Sequence, residues 1–390
     1  MMDGFLLLLL AAAIGIGWWL GRRYQHQLQQ PSVADENYYR GLNYLLNHET
    51  DAALNLFIDS LEVNNHNLET HLALGNAFRR QGEVDKAIHI HQNLLNREGL
   101  THQQLAQAQL ELAHDFVKAG LLDRAEQLLL ESAGFSPDKQ AWGTLLLDIY
   151  QREKDWQKAL EVAQRFQLHK LHSASNLASR LSHYACELAQ EALDEDDFDK
   201  TGQYLAQAHD LDTVNPRVAM IQATMAIQQQ DFDKGGHYLR QLGQQDSSLI
   251  PLILPELAHC YATAGSQHKD WQNWLDTCMQ NHPCTSVMLA LADILRQQSD
   301  VDAVAFVTKE LRKRPSVKGF NYLIDIYMQW ATDHARESLE ALQGLTVALE
   351  QSKPAYQCKQ CGYASNSMQW QCPTCHQWDT TKPVYGLRGE

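Results

Sequence analysis

Glycine and proline are scarce in this chain, 21 and 10 of 390 residues, or about 8% together where globular proteins average about 12%. That shortage excludes collagen-like and low-complexity chains and disfavours turn-rich all-β folds. An excess of positive charge is also missing. Against 32 Lys and Arg stand 47 Asp and Glu, a formal net charge of −15, so the phosphate-neutralising surplus of a general nucleic-acid binder is absent. No disulfide framework runs along the chain. Of eight cysteines, four crowd together after residue 350 at regular spacing, which reads as metal ligation. Cys186, Cys260, Cys278 and Cys284 are scattered through apolar helical patterns, where a free Cys behaves as a small buried hydrophobe. Thiols left unbridged point to a reducing compartment. Catalytic signatures are missing too: no HExxH, P-loop or GxSxG occurs, and Gly15-x-Gly17 sits inside an apolar run rather than in a dinucleotide loop. The length allows two or three domains, or one elongated array of repeats.

The one long uncharged run is Phe5 to Leu20, FLLLLLAAAIGIGWWL. As a helix it spans about 25 Å at ~1.5 Å per residue, slightly short of the ~30 Å bilayer core. A secretory signal peptide is the rival reading, because Ala11-Ala12-Ala13 resembles a small-residue cleavage site. The residues before the run carry Asp3 and no Lys or Arg, which disfavours that reading. Arg22-Arg23 follow the run and keep that side in the cytoplasm by the positive-inside rule, and Trp18-Trp19 suit an interfacial belt. The expectation is an uncleaved transmembrane anchor over 1–21, a polar juxtamembrane linker over 22–35 broken by Pro31, and the bulk of the chain in the cytoplasm. Ala13, Gly17 and Gly21 recur every four residues, a face open to another membrane helix but equally ordinary in any such segment.

From residue 36 to 350 one supersecondary unit recurs. Small or apolar anchors fall at Gly41, Gly75, Ala113, Leu147, Ala189, Ala223, Ala258 and Ala292, mostly 34 residues apart. Three residues after each comes Tyr44, Phe78, Phe116, Tyr150, Ala192, Ala226, Tyr261 or Leu295. Twelve after each the second helix presents Ala53, Ala87, Ala125, Ala159, Thr201 or Gly235, with Asp270 and Val304 as departures. Polar turns such as Gly82-Glu83-Val84-Asp85-Lys86 and Asp196-Asp197-Phe198-Asp199-Lys200 start the second helices. This period and pattern resemble the tetratricopeptide repeat. Eight units, with a ninth imperfect pair over Phe320 to Glu350 as the cap, predict a superhelix whose first helices line a concave groove. Asn76, Arg79, Asp148 and Gln151 are placed to face it, although ordinary solvated helix surface explains any one of them. The eighteen histidines are dispersed, and His89 and His91 of an HIH triplet read as exposed or half-buried structural residues.

The strongest chemical signal is CKQCGYASNSMQWQCPTCHQW from Cys358. Two Cys-x2-Cys turns, ten residues apart, can bring Cys358, Cys361, Cys372 and Cys375 around one ion as a tetrahedral thiolate shell. The ten-residue connection is long enough for a small β-hairpin, with Trp370, Trp378 and Tyr363 expected to build its miniature core. The module resembles rubredoxin-like and zinc-ribbon domains. One departure is His376, which stands where the second turn of that pattern carries Gly. Soft thiolates accept Fe or Zn, so the ion stays open. Within 351–390 four Lys or Arg (353, 359, 382, 388) face two acids (379, 390), leaving the tail at +2 and the remainder at −17, so contact between them is expected.

The order of these parts carries more information than any of them. An anchor ending in GRR, repeats containing LGNAFRRQGEVDKAIHIHQNLL (Leu74 to Leu95), and a CxxCG…WQCPTC tail ending in KPVYGLRG resemble the lipopolysaccharide assembly protein B (LapB) family over essentially the whole chain. The resemblance implies a single-pass protein of the bacterial inner membrane with its bulk in the cytoplasm. It implies a non-enzymatic adaptor between the membrane protease FtsH and the deacetylase LpxC, limiting lipid A synthesis. It further implies contact with lipopolysaccharide assembly proteins and another transmembrane regulator, with iron as the ion on the four cysteines. The fold class that results is all-α: a tetratricopeptide-repeat α-solenoid with an N-terminal transmembrane helix and a small rubredoxin-like β knuckle over 351–390. Two other readings stay open, a rubredoxin-like electron-transfer protein and a general membrane-associated scaffold with no role in proteolysis.

Overall fold

The computed structural model describes residues 68–390 apart from 97–99, 133–137, 169–174, 264–267, 353 and 388, together with Trp18, Arg40, Asn43 and Tyr44. The expected linker, Gly41, Ala53 and all of the anchor except Trp18 therefore lie outside the described residues. No helix among the described residues is long and apolar enough to cross a membrane. The chain divides into two compact units, Met1–Ile149 and Tyr150–Glu390.

In the first unit α1 (Leu68–Gln81), α2 (Val84–Leu95), α3 (His102–Ala119) and α4 (Leu122–Ser132) precede α5 (Lys139–Glu153), which continues into the second. The second contains α6 (Trp156–Arg165), α7 (Ser175–Asp194), α8 (Phe198–Leu211), α9 (Pro216–Gln228), α10 (Phe232–Gln245), α11 (Ile250–Thr263), α12 (His268–Asn281), α13 (Thr285–Arg296), α14 (Asp300–Lys313), α15 (Val317–Trp330) and α16 (Asp333–Gln351). Strands β1 (Tyr356–Cys358), β2 (Ala364–Ser365) and β3 (Thr381–Pro383) follow, in the antiparallel order β2-β1-β3. Hairpins form between α1 and α2 and between α3 and α4 in the first unit, and between α7 and α8, α9 and α10, α13 and α14, and α15 and α16 in the second, where first helices of neighbouring repeats also touch, α7 with α9, α11 with α13 and α13 with α15. This is tetratricopeptide-like stacking, in which each hairpin covers the apolar face its neighbour leaves bare.

The repeat anchors are buried where described: Gly75, Ala113, Leu147, Ala189, Ala223 and Ala292, with Ala258 half-buried. On the second helices Ala87, Ala125, Ala159, Thr201 and Gly235 are buried as well. Thr201 fits because its hydroxyl donates to the Asp197 carbonyl at 2.8 Å, so no polar atom is stranded. The two departures have different causes. In α14 the small buried residue is Ala303, one position before Val304, so the repeat has shifted by one. In α12 Asp270 is exposed, and Trp271 beside it packs at 5.0 Å on Tyr261 and 5.6 Å on Trp274, so aromatic area replaces the small-residue contact.

The polar turns are built alike. Lys154, Asp196 and Gln230 all adopt positive φ, and the residue after each is an aspartate whose carboxylate accepts from the N–H three positions on, Asp155 from Lys158, Asp197 from Lys200 and Asp231 from Lys234. A left-handed residue reverses the chain, and the next residue satisfies an orphan donor of the new helix.

His91 corrects an expectation. It is fully buried, its Nδ1 lies 2.5 Å from the buried Asp115 Oδ2, and Asp115 Oδ1 accepts from Arg79 at 2.9 Å. Arg79 also pairs with Glu111 at 2.7 Å. The imidazole lies over Gly75, where an added Cβ would come within 2.4 Å of Nε2. The anchor is small here to admit a histidine ring. Replacing Gly75 with Ala should destabilise the chain by about 1–3 kcal/mol, the range for overpacking a filled site. Gly202→Ala in α8, where an added Cβ meets nothing within 4 Å, should stabilise by roughly 0.5–1 kcal/mol. Thermal or denaturant unfolding of the two variants checks the pair.

Candidate metal centre and its docking surface

Each Cys-x2-Cys turn closes on itself by the same two hydrogen bonds. In the first, Gly362 N–H donates to the Cys358 carbonyl at 3.0 Å and Cys358 N–H to the Tyr363 carbonyl at 2.7 Å. In the second, His376 N–H donates to the Cys372 carbonyl at 2.8 Å and Cys372 N–H to the Gln377 carbonyl at 2.9 Å. Gly362 and His376 are thus equivalent positions, and both have positive φ, +80° and +56°. The turn demands a left-handed residue; glycine adopts it freely and histidine with strain. Strand β2 occupies part of the ten-residue connection, and a bridge between Gln371 and Trp378 closes the second turn.

These turns bring Cys358, Cys361, Cys372 and Cys375 together, with all four sulfurs within 4.8 Å of one another. Cys358 and Cys375 are separated by 3.8 Å and Cys361 and Cys372 by 3.5 Å. A tetrahedron with metal–sulfur bonds of about 2.3 Å has edges of about 3.8 Å, close to the two shorter separations, so the cluster has the size of a single-ion site. Burial opposes ionisation of Cys358, yet hydrogen bonds with the Thr380 hydroxyl and from the backbone amides of Cys361 and Gln360 bring its thiol down to about 6. The Tyr363 amide works the same way on Cys361, but burial and its sulfur neighbours push that thiol up to about 12. The four cysteines could bind one metal ion, and their chemistry accommodates iron or zinc.

The other four cysteines are buried among apolar side chains. Burial pushes Cys186 up to about 12 and Cys278 and Cys284 up to about 11, so they pack as uncharged core residues.

Trp370 and Trp378 do not form a separate core for the knuckle. Trp378 stacks on His183 of α7 with centroids 4.7 Å apart and planes 10° apart, and lies edge-on to Trp156 and Tyr184 at 6.0 and 6.1 Å. Trp370 and Met368 pack on the cluster formed by Leu239 and Leu242 of α10 and Leu249, Ile253 and Leu257. The polar contacts are equally directed. Gln151 Oε1 accepts from Trp378 Nε1 at 3.2 Å, Tyr184 at 2.7 Å and Arg180 at 2.8 Å, while its amide donates to the His376 carbonyl at 3.3 Å. His183 Nε2 lies 2.6 Å from Asp379 Oδ2.

The expected charge complementarity is present in both directions. Lys382 donates to Asp246 at 2.9 Å, and Lys318 of α15 to Glu390 at 2.6 Å. Asp246 is partly buried, which opposes its ionisation, but hydrogen bonds from Ser248 and Lys382 hold its carboxyl below the usual range.

Of the residues expected to face a groove, Gln151 is buried beneath the knuckle. Arg79 is committed to Asp115 and Glu111, and Asn76 and Asp148 are half-buried. Arg180, His183, Arg217 and Asp246 were not singled out from sequence. Arg217 pairs with Glu187 at 2.7 Å and lies 6.0 Å over the Trp378 ring. The available signal was the tail's unusual indole content beside a first helix carrying Arg180, His183 and Tyr184 one turn apart.

Two expected outcomes follow from this geometry. His376→Gly relieves a strained backbone and should be neutral or stabilising by up to about 1 kcal/mol, read as the unfolding midpoint of the metal-loaded chain. Gln151→Leu takes from Trp378 Nε1 its acceptor, and one unsatisfied donor in a packed site costs about 1–3 kcal/mol. Amide exchange across 356–383 should accelerate by about tenfold or more, while exchange in α1–α4 stays unchanged.

The family model for the rubredoxin metal binding domain matches residues 356–383, and a tetratricopeptide repeat model matches 70–100. A solved tetratricopeptide repeat protein from Parabacteroides merdae aligns with 73% of the chain and 100% of its own at 11% identity and a TM-score of 0.36. Among curated proteins, Lipopolysaccharide assembly protein B of Escherichia coli K12 is 33% identical over 98% of this chain and 99% of its own length. Its namesake in Haemophilus influenzae is 32% identical over 97% and 98%. With relatives of that identity matched over nearly their whole length, the chain belongs to the lipopolysaccharide assembly protein B family.

Proposed function

We propose that the chain is a non-enzymatic adaptor of the bacterial inner membrane that acts in lipopolysaccharide assembly, presenting the deacetylase LpxC to the membrane protease FtsH and so limiting lipid A synthesis. The observation that carries this reading is the full-length similarity to proteins named Lipopolysaccharide assembly protein B. Helical hairpins that stack into a groove supply surface for another protein's segment, which is what an adaptor requires. In this reading residues 1–21 form the single-pass anchor. Tethering then raises the effective concentration of a captured soluble substrate beside a membrane protease, with no catalytic group needed. Contacts extend to lipopolysaccharide assembly proteins and to another transmembrane regulator.

Cys358, Cys361, Cys372 and Cys375 are the ligands of one ion in this reading, iron by family or zinc by chemistry. The ion supplies the cross-link that closes two short turns too small to hold a core of their own. The protein supplies the rest: His183, Gln151 and Asp246 hold the closed knuckle against α7 and the α10–α11 corner.

The test is a crosslinked pull-down of the full-length membrane protein with FtsH proteolytically inactive, set beside Cys372→Ser/Cys375→Ser. Recovery of both LpxC and FtsH, with one of them lost from the variant, is the expected result. Recovery of neither, together with a metal centre that cycles reversibly at a physiological potential, would replace the adaptor reading with electron transfer.

A further inference from the structure

A cavity of about 590 Å³ lies between the α12–α13 corner, the end of α14 and the segment after β3. That volume falls within the roughly 300–1,000 Å³ of small-molecule sites. Its walls are mostly apolar. Met279, Pro283 and Met288 form one side, Pro315 the second, and Tyr385 and Leu387 the third. The tail residues are half-exposed, at 51% and 52%, so their apolar faces are open to an occupant. Cys284 also lines the cavity, and burial keeps its thiol protonated by pushing it up to about 11.

The polar groups at the rim narrow the class of ligand. Both acids are already neutralised, Glu310 by Lys313 at 2.6 Å and Glu390 by Lys318 at 2.6 Å. Glu390 further accepts from Ser286 N–H at 2.9 Å and its hydroxyl at 2.8 Å, which occupies the start of α13. Arg314, exposed at the rim, meets no acid among the described residues. The nearby backbone donor on α15 is also spent, since Val317 N–H donates to the Leu387 carbonyl at 2.9 Å. Two backbone donors beside the cavity, Ser286 N–H and Val317 N–H, are thus closed to a peptide's carbonyls. An apolar body that fills the walls and one anionic group that meets Arg314 match what is left.

We propose that this cavity binds a single-chain anionic amphiphile, of the fatty-carboxylate class, with its hydrocarbon between Met288, Pro315 and Leu387 and its carboxylate at Arg314. Tyr385, Leu387 and Glu390 belong to the segment that follows the knuckle, so an occupant touches the same strap that holds the tail in place. The site is independent of the adaptor reading and of the metal.

The experiment uses the full-length chain in phosphatidylcholine nanodiscs and a diazirine-bearing dodecanoate, with labelled peptides mapped by mass spectrometry. Saturable labelling is expected on peptides containing 279–288, 310–315 or 385–387, displaced by dodecanoate and only weakly by dodecanol. Arg314→Gln, a surface change that leaves the melting curve intact, should raise the half-saturating concentration about tenfold, as expected for loss of a charge-assisted contact. Met288→Trp should abolish labelling by filling the space, and Leu387→Asp provides the same test without touching the helical core. Labelling spread evenly over the chain, equal displacement by dodecanol, or no response to Arg314→Gln would each overturn the proposal. So would labelling obtained only from a photoactivatable phosphatidylglycerol placed in the disc, which would make the ligand a two-chain lipid.

Discussion

The side-chain carbonyl of Gln151 gathers the guanidinium of Arg180, the hydroxyl of Tyr184 and the indole N–H of Trp378 at a site where Gln151 and Tyr184 are buried. A buried acceptor with three donors around it constrains all of them at once, because each donor must reach the same oxygen from its own direction. The consequences spread outward. Trp378 is held flat on His183, His183 meets Asp379, and the Gln151 amide reaches the His376 carbonyl on the second cysteine turn. The metal knuckle is therefore registered on α7 by directed bonds, and Trp370 and Met368 add apolar area on the cluster beside α10 and α11.

This arrangement gives one helix surface of the second unit a specific occupant. A first-helix surface of the second unit, the kind that stacked hairpins offer to another protein, is partly filled by the chain's own tail. Closure of the four sulfurs and burial of Trp378 are then linked through the short segment from Cys372 to Asp379. His376 shows how tightly that segment is specified. Its carbonyl accepts from Gln151 while the residue holds the left-handed conformation that Gly362 adopts in the sister turn.

Much of the architecture was legible in the residues themselves. The small anchors recur because two helices cannot approach closely without them, so a period near 34 is a packing requirement written into composition. The Asp cap after a left-handed residue is equally local, and so is the Cys-x2-Cys turn. Failures came where a local rule met a neighbour. His91 follows the pattern of an exposed polar position but is buried, because Gly75 removes the Cβ that would block its ring and Asp115 supplies a partner 24 positions away. Val304 yields its place to Ala303, a one-residue slip that the period tolerates. The two tail tryptophans were expected to serve the knuckle and instead serve its attachment.

The order of its parts pointed to the family, and the sequence by itself determined the repeated helical hairpins and the cysteine quartet as a candidate ion site. Each depends on residues close together in the chain, through hydrogen bonds and packing over one or two turns. Tertiary structure alone decided that Gln151 and His183 receive the tail, that Asp246 pairs with Lys382, and that a cavity opens beside Arg314. Those features join residues more than a hundred positions apart, and charge counts of −17 and +2 could foretell contact without naming its pairs. Charge is a sum over the chain, whereas hydrogen bonds are made by particular atoms that only the folded backbone brings within reach.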